Sequence, residues 1–499
     1  MRGCWIVIVV DDGHPRVACQ LHCDRRTVVA LISFCDIEEG NPHLSAHSAA
    51  VPGTQPLTLP IDAITPFRRA LRNVGWLLTG KGVAAVLSIV YLALATRSLG
   101  VVKFGLFTLI LSTAQAVAAF VGFQTWQIVV RFGMAHRLAG QQNALARLIR
   151  FCLALDIAGA IVGVAIVGAV LPLMRASFGW SEELTRQAFA FSAVLLLSVR
   201  STAVGILRLH DRFAVGAAAD SVTSIVRFIG AVIAVLHEAT ITGFLIAWAV
   251  AELLTAAVYW IAALRVAPGT LRHWRGTRAA ATETPGLWQF AFATNMNATL
   301  NAASRQFVVV LVGLLTGAAA AGNYRLAYQL SQSLVRLADL FARGVFPEMT
   351  RVHASPRAKE LRTLIRQSSR LAVGVGLATC VLVPLLGQPA LRLIAGEAYL
   401  DAYWVLVLLG LAAGLDIMAV GFEPVLLGTG HAARALRIRI AATLILFAAV
   451  GLLMPSLGIL GAGAASLIAS GVALLAFVLS ARAVARGQGR RQAEATGFS

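Results

Sequence analysis

Residues 151–174 read FCLALDIAGAIVGVAIVGAVLPLM, twenty-four positions with one charged side chain, Asp156. A helix of that length rises about 36 Å, enough to cross the roughly 30 Å hydrocarbon core of a bilayer. Arg147 and Arg150 precede the run and Arg175 follows it, so both ends are marked by charge. The stretch reads as a membrane-spanning helix, and the same pattern recurs on either side of it.

From Phe67 on, the spacing predicts twelve spans: 74–96, 105–130, 151–174, 188–208, 221–237, 241–264, 288–315, 324–347, 369–387, 403–426, 438–455 and 460–481. The composition demands this. Of 499 residues, 58% are hydrophobic and 13% charged, and the mean hydropathy is +0.78. Soluble domains carry about 25% charged residues. The formal charge of +19 does not point to nucleic acid, because the basic residues sit in short loops between apolar runs. With the amino terminus inside, the cytoplasmic segments hold 26 Lys and Arg and the outer segments 6. That asymmetry places both ends in the cytoplasm. The expected fold class is all-α integral membrane.

Residues 1–65 depart from this pattern. They hold 7 of the 23 acids, no run of spanning length, and Pro42, Pro52, Pro56 and Pro60. The segment reads as a flexible tail or an upstream start, functionally silent. Cys4, Cys19, Cys23 and Cys35, with His14 and His22, fit no zinc spacing, so neither a metal nor a cofactor is expected.

An internal repeat is visible. Ile241-x-Gly243-x-x-x-Ala247 opens the sixth span and Ile459-x-Gly461-x-x-x-Ala465 the twelfth, 218 residues apart. Phe104-Gly105 and Gly322-Asn323-Tyr324 share about that offset. The reading is two six-helix halves, 66–264 and 288–482, related by a pseudo-twofold axis along the membrane normal. A cytoplasmic linker, 265–287, joins them, and a cytoplasmic tail, 483–499, follows. No phosphate loop appears, and the longest outer loop, about Gln388–Ala402, has no room for a catalytic domain. The chain reads as a carrier, with no catalytic residues.

Several stretches resemble a known family: Thr96-Arg97-Ser98-Leu99-Gly100 with Phe104-Gly105, Ala320-Ala321-Gly322-Asn323-Tyr324, Phe346-Pro347-Glu348, and Gly458-Ile459-Leu460-Gly461-Ala462. Over residues 68–482 the chain is similar to the bacterial lipid-linked oligosaccharide flippases of the multidrug/oligosaccharidyl-lipid/polysaccharide exporter superfamily. The resemblance implies a polyprenyl-diphosphate-linked glycan as cargo and alternating access as mechanism. It also implies a central cavity between spans 1, 2, 7 and 8. Membrane lipids, a polysaccharide polymerase and glycosyltransferases are the partners it suggests; nucleic acid is not among them.

Polar stripes mark those four spans. The seventh carries Asn297, Asn301 and Arg305 on one helical face, and the eighth carries Gln329, Gln332, Arg336, Asp339 and Arg343. The second shows Thr108, Ser112 and Gln115, the first Lys81 and Ser88. A charge at the bilayer centre costs at least about 2.5–3.5 kcal/mol, so the stripes face protein or water. Arginine can hold phosphate oxygens bidentately, and carboxamides can bond sugar hydroxyls. The substrate-binding candidates are therefore Arg305, Arg336, Arg343, Lys81, Asn297, Asn301, Gln332 and Gln115. Competing readings stand beside them. Lys81, Arg227 and Arg343 lie near enough to the cytoplasmic interface to snorkel, and Arg336 and Arg343 flank Asp339 as an in-helix pair. Arg200 expects a structural partner such as Asp156. The acids Asp156, Glu252, Asp416 and Glu423 are candidates for ion coupling, or for neutral or ion-paired roles.

Three rivals remain. A multidrug exporter would want an acidic, aromatic cavity for organic cations. A peptidoglycan-precursor flippase typically has two further spans. A non-transporting scaffold of a polysaccharide assembly complex would not need the polar stripes.

Overall fold

In the computed structural model the described residues are 66–271, 279–333, 358–420, 422 and 432–496. Among them every regular element is helical: α1 Pro66–Val121, α2 Thr125–Leu138, α3 Gln142–Phe178, α4 Glu182–Leu197, α5 Ser201–Leu209, α6 Phe213–His237 and α7 Ile241–Val266. A short α8, Ala279–Glu283, leads to α9 Leu287–Thr316 and α10, residues 318–333. Then follow α11 Ala358–Ile394, a 3-10 turn Glu397–Ala402, α12 Tyr403–Val420, α13 Ala432–Leu457 and α14 Ile459–Thr496. The chain is a multi-pass membrane protein: nine segments of the described residues are long and apolar enough to cross a bilayer.

Twelve spans were expected, and nine segments are found among the described residues. One of the nine segments, Val86–Leu138, is 53 residues long and contains a corner at Gly100, where φ is 70° and ψ 174°. A side chain there would be strained by the backbone alone. Of the seventh expected span, the continuous stretch with described side chains is Arg305–Thr316, which is apolar. Most of the eighth lies outside the described residues.

Helix ends also differ from the expected ones. The helices α3 and α11 each run 37 residues, well past the apolar cores of 151–174 and 369–387, because Arg- and Gln-bearing turns continue the helix beyond the hydrocarbon. Conversely, the expected continuous spans 105–130 and 188–208 are broken, at residues 122–124 and 198–200. Neither break is signalled by proline.

The aromatic core gathers α1, α7 and the 3-10 turn. Trp248 meets Tyr91 and Phe107 edge-on at 5.1 and 5.2 Å, and Phe104 meets Tyr399 at 6.1 Å. The motif glycines explain the close crossing beside it. A Cβ on Gly105 would lie 1.9 Å from the Ala318 carbonyl oxygen, and Gly322 sits against the Gly105 backbone. The outward-facing side chains, such as Ile229, Ile233, Leu236, Leu253 and Leu254, are apolar and exposed, as a lipid-bathed surface requires.

Candidate functional site

A cavity of about 430 Å³ opens within helices α9, α10, α12, α13 and α14. Helical spacing builds it. On α10, Tyr324, Tyr328 and Gln332 follow at four-residue steps along one face. On α12, Leu409, Ala412, Ala413 and Asp416 do the same at three- and four-residue steps. Arg305 comes from α9, Arg439 and Thr443 from α13, and Ser466 and Ser470 from α14. Ala412, Ala413, Ala442, Ala469 and Ala473 in the wall leave the space that larger side chains would close.

Charged groups of both signs line it. Asp416 faces the open volume, is hydrogen-bonded to Ser470, and feels the charges of Arg305 and Arg439. Two guanidinium groups and a carboxylate thus share one cavity in an apolar bundle, where charge is tolerable only beside partners, water or a charged ligand. The remaining polar wall is neutral: Gln332, Thr443, two serines and the stacked Tyr324–Tyr328 pair with centroids 6.5 Å apart. Such a wall can bond hydroxyl-rich ligands.

The sequence-derived candidates divide into three groups. Arg305, Gln332 and Asp416 meet in this cavity. Gln115 lines a separate, smaller pocket with Arg227, Arg325 and Gln329. Lys81, Asn297 and Asn301 lie on α1 and α9 with side chains outside the described set, and Arg336, Asp339, Arg343 and Glu423 lie outside the described residues. Arg439 was counted with the cytoplasmic loop charges, yet it lines the cavity. Its four-residue step to Thr443 was the available signal.

The expected partner of Arg200 is corrected. Arg200 is paired with Glu252, and Arg227 joins the same carboxylate at 2.6 Å. Asp156 instead accepts from Thr125 Oγ1 at 2.8 and 2.9 Å, from Thr202 Oγ1 at 2.7 Å and from the Thr202 backbone N–H at 3.1 Å. The helix breaks cause both outcomes. They start α2 and α5 beside Asp156, whose carboxylate takes an N–H and hydroxyls at two helix N-termini, while Arg200 at the break turns toward α7. Arg227, which also had a snorkelling reading, is engaged within the bundle by this ion pair. Its guanidinium lies 5.3 Å from the Trp248 ring.

Just before the Gly100 corner of α1, Arg97 spans to α11. Its Nη2 donates to the carbonyls of Leu393 at 2.6 Å and Arg392 at 3.3 Å, and its Nε to that of Ile394 at 3.2 Å. These are the unpaired last carbonyls of a helix, where a cation is favoured. The Tyr399 hydroxyl donates to the Thr96 carbonyl at 3.1 Å. Together they clamp α1 to the α11–α12 corner.

A family described as "polysaccharide biosynthesis protein" matches residues 70–353. The chain belongs to this family. A relative, "Inner membrane protein YghQ" of Escherichia coli (strain K12), is 31% identical over 346 residues, covering 68% of this chain and 95% of that protein. Among solved structures, "Lipid II flippase MurJ, inward closed conformation" superposes with a TM-score of 0.62 at 12% identity, covering 81% of this chain and 87% of the other. An inward-facing multidrug resistance MATE family transporter of the MOP superfamily does so with 0.61 at 15% identity, covering 81% and 96%. At such identities these two show the fold alone. The family is the one the Gly100, Phe104-Gly105 and Gly322 motifs resemble.

Proposed function

We propose that the chain is a flippase carrying a polyprenyl-diphosphate-linked oligosaccharide across the bacterial inner membrane by alternating access, with twelve spans in two halves and both termini in the cytoplasm. The observation that carries this reading is the cavity of about 430 Å³, lined by Arg305, Arg439 and Gln332 inside a largely apolar helix bundle. In it the arginines hold phosphate oxygens through charge-assisted bonds, while Gln332, the tyrosines and the serines take sugar hydroxyls. The polyprenyl tail stays in lipid. Of the candidate acids for ion coupling that lie among the described residues, Asp416 is the one that lines this cavity, and it serves as the coupling group.

The Tyr324–Tyr328 stack and Asp416 also support a second reading, an exporter of organic cations, since stacked rings and a carboxylate suit such ligands. Substituting Arg305 separates the two. In cells lacking their own flippase, Arg305→Gln abolishes surface-polysaccharide display at normal protein levels, and Arg305→Lys restores part of it because a point charge survives without the planar fork. Full display in Arg305→Gln, together with resistance to organic cations that depends on Asp416, would replace the first reading by the second.

A further inference from the structure

A groove of about 420 Å³ runs between α13 and α14, within the roughly 300–1,000 Å³ of small-molecule sites. Its chemistry changes along its length. Arg434, Arg437 and Ser480 line one end, and Ala441, Ala473 and Ala476 line the other part. The apolar spans run Arg434–Leu457 on α13 and Ile459–Ala483 on α14. The polar end therefore lies at a membrane boundary, and the alanines lie deeper. From Arg434 to Ala441, and from Ser480 back to Ala473, each helix rises about 10 Å.

The two helices touch through Ala435, Phe477 and Ala481, all buried, and beside that contact the alanine methyls leave the groove open. Leu475 and Leu479, next to it on α14, are 59% and 55% exposed, so this side of the helix meets lipid. Among the described residues no carboxylate lines the groove. An arginine at a membrane boundary can simply snorkel to water, but that alone needs no groove below it. Two guanidinium groups above an apolar slot repeat, in order, the parts of an anionic glycerophospholipid: phosphate at the boundary, acyl chain beneath. Basic pockets between spanning helices hold anionic head groups, and arginine takes phosphate oxygens through charge-assisted, bidentate bonds.

We propose that this groove binds one anionic glycerophospholipid, its phosphate held by Arg434 and Arg437 and one acyl chain laid along the alanines. The Ser480 hydroxyl donates to the same head group. A zwitterionic lipid brings an ammonium toward the guanidinium groups and binds less tightly. Ala473 also lines the Arg305 cavity, so the chain lies against the wall of that cavity without entering it. The site does not depend on the identity of the cargo.

The test is native mass spectrometry of the purified full-length chain, titrated in detergent with phosphatidylglycerol or phosphatidylcholine, reading the first lipid bound. The wild type takes phosphatidylglycerol about tenfold more tightly than phosphatidylcholine. Arg437→Gln lowers the phosphatidylglycerol affinity about tenfold, the scale of one lost charge-assisted hydrogen bond, and leaves phosphatidylcholine unchanged. The double variant Arg434→Gln/Arg437→Gln loses the preference, and Ala441→Phe, which fills the slot, weakens both lipids. Arg212→Gln, at the start of α6 and away from the groove, changes neither. Equal affinities for the two lipids in the wild type overturn the proposal. So does a double variant that keeps the preference, an Ala441→Phe variant that binds like the wild type, or a loss in Arg212→Gln as large as in Arg437→Gln. Should the double variant fail to fold, Arg437→Gln decides alone, since Arg437 is exposed: an unchanged phosphatidylglycerol affinity there refutes the site.

Discussion

Glu252 shows how single residues are fixed in this bundle. Its side chain is buried to 9% exposure and holds Arg227, at 16%, and Arg200, at 36%. Removing the anion leaves two cations in an apolar surrounding, so Glu252→Gln lowers stability by about 3–5 kcal/mol, the usual scale for breaking a buried pair. Thermal unfolding of the purified protein measures this, and an unchanged Tm contradicts it. At this scale the sequence is a good guide to which side chains require partners and a poor guide to which partners they take. Arg200, Arg227, Asp156 and Glu252 all stand out as charges in apolar runs. Their pairing depends on where α4 breaks and where α6 begins, and composition marks neither. Arg305 and Gln332 were readable because their three- and four-residue spacing survives folding, whereas Arg439 was hidden among the loop arginines beside it.

Elements carry the next level of the account. The apolar runs locate the helices, since a helix satisfies its backbone within the segment itself in hydrocarbon. Their ends are less legible, because polar turns of α3, α11 and α14 stay helical outside the apolar zone. The breaks before Thr125 and Ser201 are held by tertiary bonds to Asp156, not by a local breaker. The Arg97 clamp on the final carbonyls of α11 belongs to this scale too, for it must open if α1 and α11 are to separate. Arg97→Ala removes bonds worth about 1 kcal/mol in total after competition with water, a several-fold shift in populations. Spin labels at Lys103 and Gln388, both exposed, should report a larger share of long distances in the variant. Identical distance distributions in variant and wild type would show that the clamp does not hold the two elements together.

The whole molecule inherits its orientation from the loop arginines. On the proposed topology, which puts 26 basic residues inside and 6 outside, cysteines placed at Gly179 and Gly396 should label from outside the cell and one at Ala279 only after permeabilisation. Labelling of Gly179 and Ala279 from the same side contradicts the topology. Alternating access then needs the Arg305 cavity to load cargo from one leaflet and release it to the other. Translocation in proteoliposomes measures this most directly: a polyprenyl-diphosphate oligosaccharide is placed in the inner leaflet, and its exposure to an externally added lectin is followed over time. The wild type exposes the glycan, while Arg305→Gln does so no faster than protein-free vesicles. Equal rates for the wild type and protein-free vesicles, or for the wild type and Arg305→Gln, would contradict the proposed function or the role given to this cavity, respectively.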